Sequence, residues 1–174
     1  MSECVLSRSW IKHDHTGHCG VRVIVCGAGQ VGSSIARQLA GEHNDVTVID
    51  NDPVIMQKLS DSAEVRCLVG GASLPDVLDE AGAKNADMVI AVTYSDEVNM
   101  VACQVAHSIF GVPEKIARIR HQSYLLPAWA DLYSPDHLPI DLIISPEIEV
   151  AHAIERRLQV PGALDMLPFG DGRL

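Results

Sequence analysis

Three glycines and one aspartate carry the most legible chemistry in this chain. Gly27, Gly29 and Gly32 stand in the run G-A-G-Q-V-G, and Asp50 closes the run V-T-V-I-D further on. Glycines at this spacing suit a diphosphate. Gly27 allows a tight turn, Gly29 leaves room for a pyrophosphate to approach the backbone, and Gly32 lets a helix pack closely on a sheet. A helix opening near Gln30 offers unpaired N–H groups and the positive end of its dipole to the phosphates. A carboxylate at Asp50 can accept both hydroxyls of a ribose and repels a 2′-phosphate, which favours NAD-type over NADP-type nucleotides.

Such residues need particular elements to hold them. Residues 21–26 form a short β-branched run, residues 30–42 an amphipathic helical pattern with Ile35 and Leu39 on its core face, and residues 46–50 a second apolar run. A preceding strand, a following helix, a second strand and a terminal acid coincide, which is far more specific than a glycine pattern alone. The alternation then continues. A helix starts after Asp52-Pro53, an N-cap followed by a first-turn proline. Strands are expected over 65–69, 88–92, 115–119 and 140–144, and helices over 75–81, ended by Gly82, and from Asp96 to about Phe110, stopped by Gly111 and Pro113. A kinked or late-starting helix is expected over 121–133, because Pro127 interrupts it, and a last helix over 146–159.

Six strands alternating with helices imply right-handed crossovers and an α/β fold. The expected architecture is a doubly wound parallel sheet of the Rossmann type, strand order 3-2-1-4-5-6, in three layers αβα. Ligands bind such sheets outside the strand C-termini, at the switch between the first and fourth strands. The loops holding Gly27–Gly32, Asp50, Gly71–Ser73 and Thr93–Asp96 converge there.

Composition sets further bounds. A chain of 174 residues with 47% hydrophobic and 21% charged residues suits one globular domain, and 4% aromatics leaves the core to Val, Ile, Leu and Ala. The net charge of −10 gives no electrostatic footprint for nucleic acid or an anionic membrane surface. No apolar run reaches the length of a membrane span, and no signal peptide is expected at the N-terminus, so the reading is a soluble, cytoplasmic chain. The five cysteines, Cys4, Cys19, Cys26, Cys67 and Cys103, show no C-x-x-C spacing and read as thiols in a reducing compartment. Residues 1–20 are expected to form a disordered tail. His13, Asp14, His15, His18 and Cys19 lie in it at a spacing that matches no zinc signature, so no metal site is expected.

The sequence resembles the TrkA-type regulators of potassium uptake, the nucleotide-binding KTN or RCK N-terminal lobes that serve Trk and Ktr transporters. G-A-G-Q-V-G with V-T-V-I-D carries the resemblance, together with D-V-L-D-E-A-G-A, A-D-M-V-I-A-V-T, S-D-E-V-N-M-V-A-C-Q-V-A, K-I-A-R-I-R, S-P-E-I-E-V and the late P-G-A-L. It implies a nucleotide-binding RCK N-terminal domain over 21–160, with 161–174 starting a C-terminal subdomain or linker that the chain does not complete. It further implies a non-catalytic regulatory module that binds NAD or NADH, or ATP or ADP. The implied partner is a membrane potassium transporter of Trk type, with self-association as a dimer or higher and a peripheral location at the inner face of the plasma membrane. Carried over position by position, Gly27, Ala28, Gly29, Gln30, Val31 and Gly32 match the phosphate loop and Asp50 the ribose acid. Gly71 falls in the adenine-side loop, Thr93 and Tyr94 in the loop after the fourth strand, and Arg118 at the ligand-facing end of the fifth. Where many members have Gly-Asp-Ala, this chain has Gly70-Gly71-Ala72, leaving only backbone contacts on the adenine side.

Plainer roles stand beside these. Thr93 could cap the helix that follows, Arg118 could form a solvated pair with Arg120, and Asp96 and Glu97 suit a helix dipole. His107 and His152 read as ordinary helix residues, and Met56, Met88 and Met100 as packing. The rival function is an NAD-dependent oxidoreductase domain. No Tyr-x-x-x-Lys pair is present: Tyr94, Tyr124 and Tyr133 are followed four positions on by Val98, Ala128 and His137. A redox-sensing repressor would need a basic helix-turn-helix, which this acidic chain does not show.

Overall fold

A computed structural model describes residues 20–134, 136–146, 150–151 and 154–155. The expected elements appear in order: β1 (Arg22–Cys26), α1 (Gln30–Gly41), β2 (Asp45–Asp50), α2 (Pro53–Ser62), β3 (Arg66–Val69), α3 (Pro75–Glu80), β4 (Met88–Ala91), α4 (Asp96–Ser108), β5 (Glu114–Arg118) and β6 (Leu142–Ile144). The six strands form one sheet in the order β3-β2-β1-β4-β5-β6, and every pairing is parallel.

Side-chain alternation along the strands divides the core in two. Val23, Val25, Val46 and Val48 face Ala36 of α1 and Met56 and Leu59 of α2. Ile24, Cys26, Val89, Ala91 and Ala117 face Leu78 of α3 and Ala102, Cys103 and Ala106 of α4. Helices therefore cover both faces, as strands buried on both sides require. The change of face between α1 and α4 opens the crevice between β1 and β4, whose ends are in register at Cys26 and Ala91.

Several expectations are adjusted. The face of α1 that meets the sheet is made by small residues, because Gly32, Ser33 and Ala36 are buried while Ile35 and Leu39 are half-buried at its margins. The segment expected as one helix over 121–133 is two 3-10 stretches, Gln122–Leu125 and Pro127–Tyr133. Pro127 has no N–H to continue a helical ladder, and Trp129 departs from helical angles at φ −114°. The last helix is present at Pro146, Val150, Ala151, Ile154 and Glu155. The rest of the 146–159 expectation, the tail over 1–19 with its histidines, and the reading of 161–174 lie outside the described residues. Among the described residues no helix is long and apolar enough to cross a membrane, and no cluster of His, Cys, Asp or Glu could hold a metal.

Candidate nucleotide-binding site

The glycine loop leaves β1 at Gly27, whose φ of +105° puts it in the left-handed region. Its N–H donates to the Ile49 carbonyl at 2.7 Å, so the turn is pinned to β2 from its first residue. A Cβ on Gly27 would meet the Thr93 backbone at 3.0 Å, and one on Gly32 would run into the Gly27 carbonyl oxygen. Two glycines are thus required by the fold itself. Gly29 is different: a Cβ there meets only the Tyr94 ring, at 3.8 and 4.0 Å. Nothing among the described residues demands glycine at 29, and the space in front of it is what an approaching ligand would use.

Helix α1 begins directly behind that space. Gly29 is its N-cap, with no side-chain capping bond and no acid in the first turn. By contrast, Asp52 caps α2 and Ser95 caps α4 with their side chains. The first-turn N–H groups around Gln30 and Val31 therefore keep their partial positive charge for an anion.

Asp50 lies at the rim of the same loop. Its Oδ2 accepts the Ala28 N–H at 2.7 Å, and its Oδ1 accepts the Asp52 N–H at 2.9 Å. Both oxygens keep a further lone pair for a ribose hydroxyl. Next to it, the Gly70 N–H donates to the Asp50 carbonyl at 2.9 Å, which brings the loop holding Gly71 alongside. Gly71 itself packs by Leu74, whose Cδ1 would lie 3.2 Å from a Cβ at that position.

Across the crevice, the loop after β4 is held by Asn99. This fully buried side chain accepts from the Thr93 N–H at 2.9 Å and the Thr93 hydroxyl at 2.7 Å, and donates to the Arg118 carbonyl at 2.8 Å. Ser95, not Thr93, caps α4, while the Thr93 hydroxyl works inside its own loop. Tyr94 is 79% exposed and leans over Gly29. Arg118 and Arg120 do not form a solvated pair. The Arg118 Nε is buried without a hydrogen-bond partner among the described residues, and the Arg120 guanidinium carbon lies 5.7 Å from the centre of the Tyr94 ring. Asp96 does more than face a helix dipole. It is buried, and its Oδ2 accepts the Arg120 and His121 N–H groups at 3.0 and 2.8 Å. Glu97 stays exposed, with the Ser95 hydroxyl bond holding its carboxyl below the usual range.

Residues 23–146 match the TrkA-N domain. The chain belongs to the TrkA-N family. Its similarity to the Trk system potassium uptake protein TrkA of Azorhizobium caulinodans is 57% identity over 152 residues, covering 87% of this chain and 33% of that protein. The chain thus spans about a third of the curated relatives it matches. Among solved structures, the TrkA-N domain of the inner membrane protein ybaL from Escherichia coli superposes with a TM-score of 0.68 at 19% identity, over 79% of this chain and 96% of that one. The GsuK channel bound to NAD gives 0.59 at 14% identity, over 78% of this chain and 23% of that one. At those identities the likeness shows the fold alone.

Within this TrkA-N domain, the sequence pointed to Gly27–Gly32, Asp50, Gly71, Thr93, Tyr94 and Arg118, and the structure brings their loops to one end of the sheet. It adds two residues beside them that the sequence does not point to, Asn99 and Arg120, and gives Asp96, expected in the switch loop and at a helix dipole, a buried bonding role as well. Asn99 and Asp96 lie in the S-D-E-V-N-M block, where two polar side chains three apart on a helix share the face toward the sheet. That spacing was the available signal.

Proposed function

We propose that this domain binds NAD(H), or an adenine nucleotide such as ATP or ADP, without altering it, and serves as the ligand-sensing lobe of a Trk-type potassium uptake system. The observation that carries the reading is the bond from Ala28 N–H to the Asp50 carboxylate, which sets a ribose acceptor beside a glycine loop open at Gly29. The residues suit the ligand in kind. The N–H groups of residues 29–32 face phosphate, Asp50 takes the ribose, the Gly71 loop flanks the base, and Thr93, Tyr94 and Arg118 close the far side.

The proposed role follows from differential binding. A nucleotide that fits one arrangement of paired lobes better shifts the assembly toward it, by no more than the difference in affinity between the two. The partner would be a membrane potassium transporter of Trk type, with the domain dimeric or higher and held peripherally at the cytoplasmic face. The name of the 57%-identical relative supports this assignment, as does the absence of a Tyr-x-x-x-Lys pair that a dehydrogenase of this fold would use.

A thermal-shift panel of NAD, NADH, NADPH, ATP and ADP tests the site, because a ligand of the folded state raises the melting temperature by mass action. NAD(H) or the adenine nucleotides should stabilise the protein and NADPH should not. No shift with any of them would reject the reading, as would turnover of NADH against a ketone panel well above background.

A further inference from the structure

Arg120 leaves the sheet two residues beyond β5 and sits between a ring and a buried acid. Its guanidinium carbon lies 5.7 Å from the Tyr94 ring centre, and its Nε lies 3.7 Å from Oδ1 of Asp96. Tyr94 is also the side chain nearest the open space at Gly29, so one ring neighbours both this guanidinium and the glycine loop. Asp96 holds it from behind. Oδ2 of Asp96 is engaged by the Arg120 and His121 N–H groups, while Oδ1 has no hydrogen-bond partner among the described residues. A carboxylate that is 6% exposed is costly unless a cation faces it, and among the described residues Arg120 is the cation paired with it.

The arrangement suits preorganisation. A free arginine gives up much rotamer freedom when it binds an anion. Here the backbone amide and the Nε end are both drawn to one buried carboxylate, and a third of the side chain remains exposed. We infer that Asp96 is a positioning residue for nucleotide binding, holding Arg120 so that its guanidinium meets the ligand's phosphates. The inference rests on the nucleotide-binding reading above. Two simpler roles give different signs. Were Asp96 only a negative charge near the site, removing it would tighten anionic ligands. Were it only a fold element, its loss would affect every ligand alike.

The experiment is calorimetric titration of the full chain with adenosine, AMP, ADP and ATP, in Asp96→Asn, Arg120→Lys and the double variant. Asparagine keeps an oxygen for the two backbone N–H groups, and lysine keeps the charge but loses the planar fork that can bind in two places. ATP binding should weaken about tenfold in each single variant and adenosine by less than about twofold, with the loss growing with phosphate number. The double variant should be no weaker than the worse single one, because the two residues act as a unit. Tighter ATP binding in Asp96→Asn, equal losses across all four ligands, or additive losses in the double variant would overturn the inference. If Asp96→Asn does not fold, Arg120→Lys decides: wild-type ATP affinity there would overturn it, and a charge-graded loss would support it. A wild-type protein that binds none of the four, nor NADH, would instead reject the site itself.

Discussion

The Asp50 carboxylate reaches from the end of β2 to accept the Ala28 N–H at 2.7 Å, so the residue suited to a ribose is also a strut of the glycine loop. Its other oxygen holds the Asp52 N–H at 2.9 Å, ahead of α2. Asp50→Ala should therefore abolish NADH binding in calorimetry and also lower unfolding stability by about 1–3 kcal/mol, the scale of losing charge-assisted bonds to two backbone donors. The native fold should persist by circular dichroism. Unchanged NADH affinity would remove Asp50 from the site.

Gly29 and Gly32 should separate ligand from fold. A side chain at 29 meets only the movable Tyr94 ring, so Gly29→Val should leave the fold intact, at a cost of about 1 kcal/mol for a poorer N-cap, yet eliminate NADH binding. A side chain at 32 collides with the Gly27 carbonyl, so Gly32→Ala should destabilise by about 1–3 kcal/mol or more, as overpacked contacts do. Melting curves with and without NADH check both. A Gly29→Val protein that still gains stability from NADH would contradict the first expectation.

What could be read from sequence follows from how far each signal reaches along the chain. Strand and helix order were legible because buried parallel strands are near-continuous apolar runs bounded by glycine, proline and capping residues such as Asp52 and Gly82. The glycine loop and Asp50 were legible because one βαβ unit brings them together locally. Asn99 was not, and of Asp96 only its place in the switch loop and at the helix start was. Their partners, the Arg118 carbonyl and the Arg120 and His121 amides, are backbone groups 19 to 25 residues away, and backbone partners leave no mark on residue type. The 3-10 stretches over Gln122–Leu125 and Pro127–Tyr133 were misread as helix for a related reason: Pro127 announces an interruption without saying what replaces it.

Asn99 clasps two loops at once, and its side chain is wholly buried. Asn99→Ala would strand the Thr93 N–H and the Arg118 carbonyl without partners, for a loss of about 2–4 kcal/mol at roughly 1–3 kcal/mol per unsatisfied group after relaxation. Asn99→Asp keeps the acceptor but sets a buried charge against the Arg118 carbonyl, and should be at least as damaging. Denaturant unfolding measures both. A change below about 0.5 kcal/mol in Asn99→Ala would show that the clasp is dispensable.

Cys26 and Cys103 give the protein an alkaline limit. Burial raises both thiols above the ordinary value of 9.0, Cys103 to about 12. A thiol whose pKa is higher folded than unfolded contributes its stability fully below the unfolded value and loses it as pH rises toward the folded one. Stability should therefore hold to about pH 8.5 and fall above it, by up to ~1.4 kcal/mol per pH unit per buried thiol. Lys115 and Asp141 also act on Cys103, in opposite directions. Unfolding midpoints of wild type and a Cys26→Ala/Cys103→Ala variant, taken between pH 8 and 10.5, should show a shallower fall in the variant. The pH-independent cost of the smaller side chains cancels in that slope.

Lys115 is the charge most exposed to a missing partner. Its side chain is 5% exposed, and its ammonium lies 2.8 Å from Oδ2 of Asp141, with a further bond to the Pro113 carbonyl at 3.0 Å. Asp141 is half-exposed and also accepts the Lys115 N–H at 2.7 Å, so one carboxylate joins the start of β5 to the approach to β6 by charge and by backbone. Removing the acid leaves a buried ammonium relieved, among the described residues, by two carbonyls, at Pro113 and Val112. Asp141→Ala should therefore cost about 3 kcal/mol, the lower end for breaking a buried pair because one partner reaches water. Lys115→Met removes the charge that needs a partner, fills a similar volume and should cost less than about 1.5 kcal/mol. The combination is the sharper test: Asp141→Ala in the Lys115→Met background should lose little beyond the backbone bond. Equal losses from Asp141→Ala in both backgrounds, by urea denaturation, would mean that the carboxylate serves the edge of the sheet through its backbone bond alone.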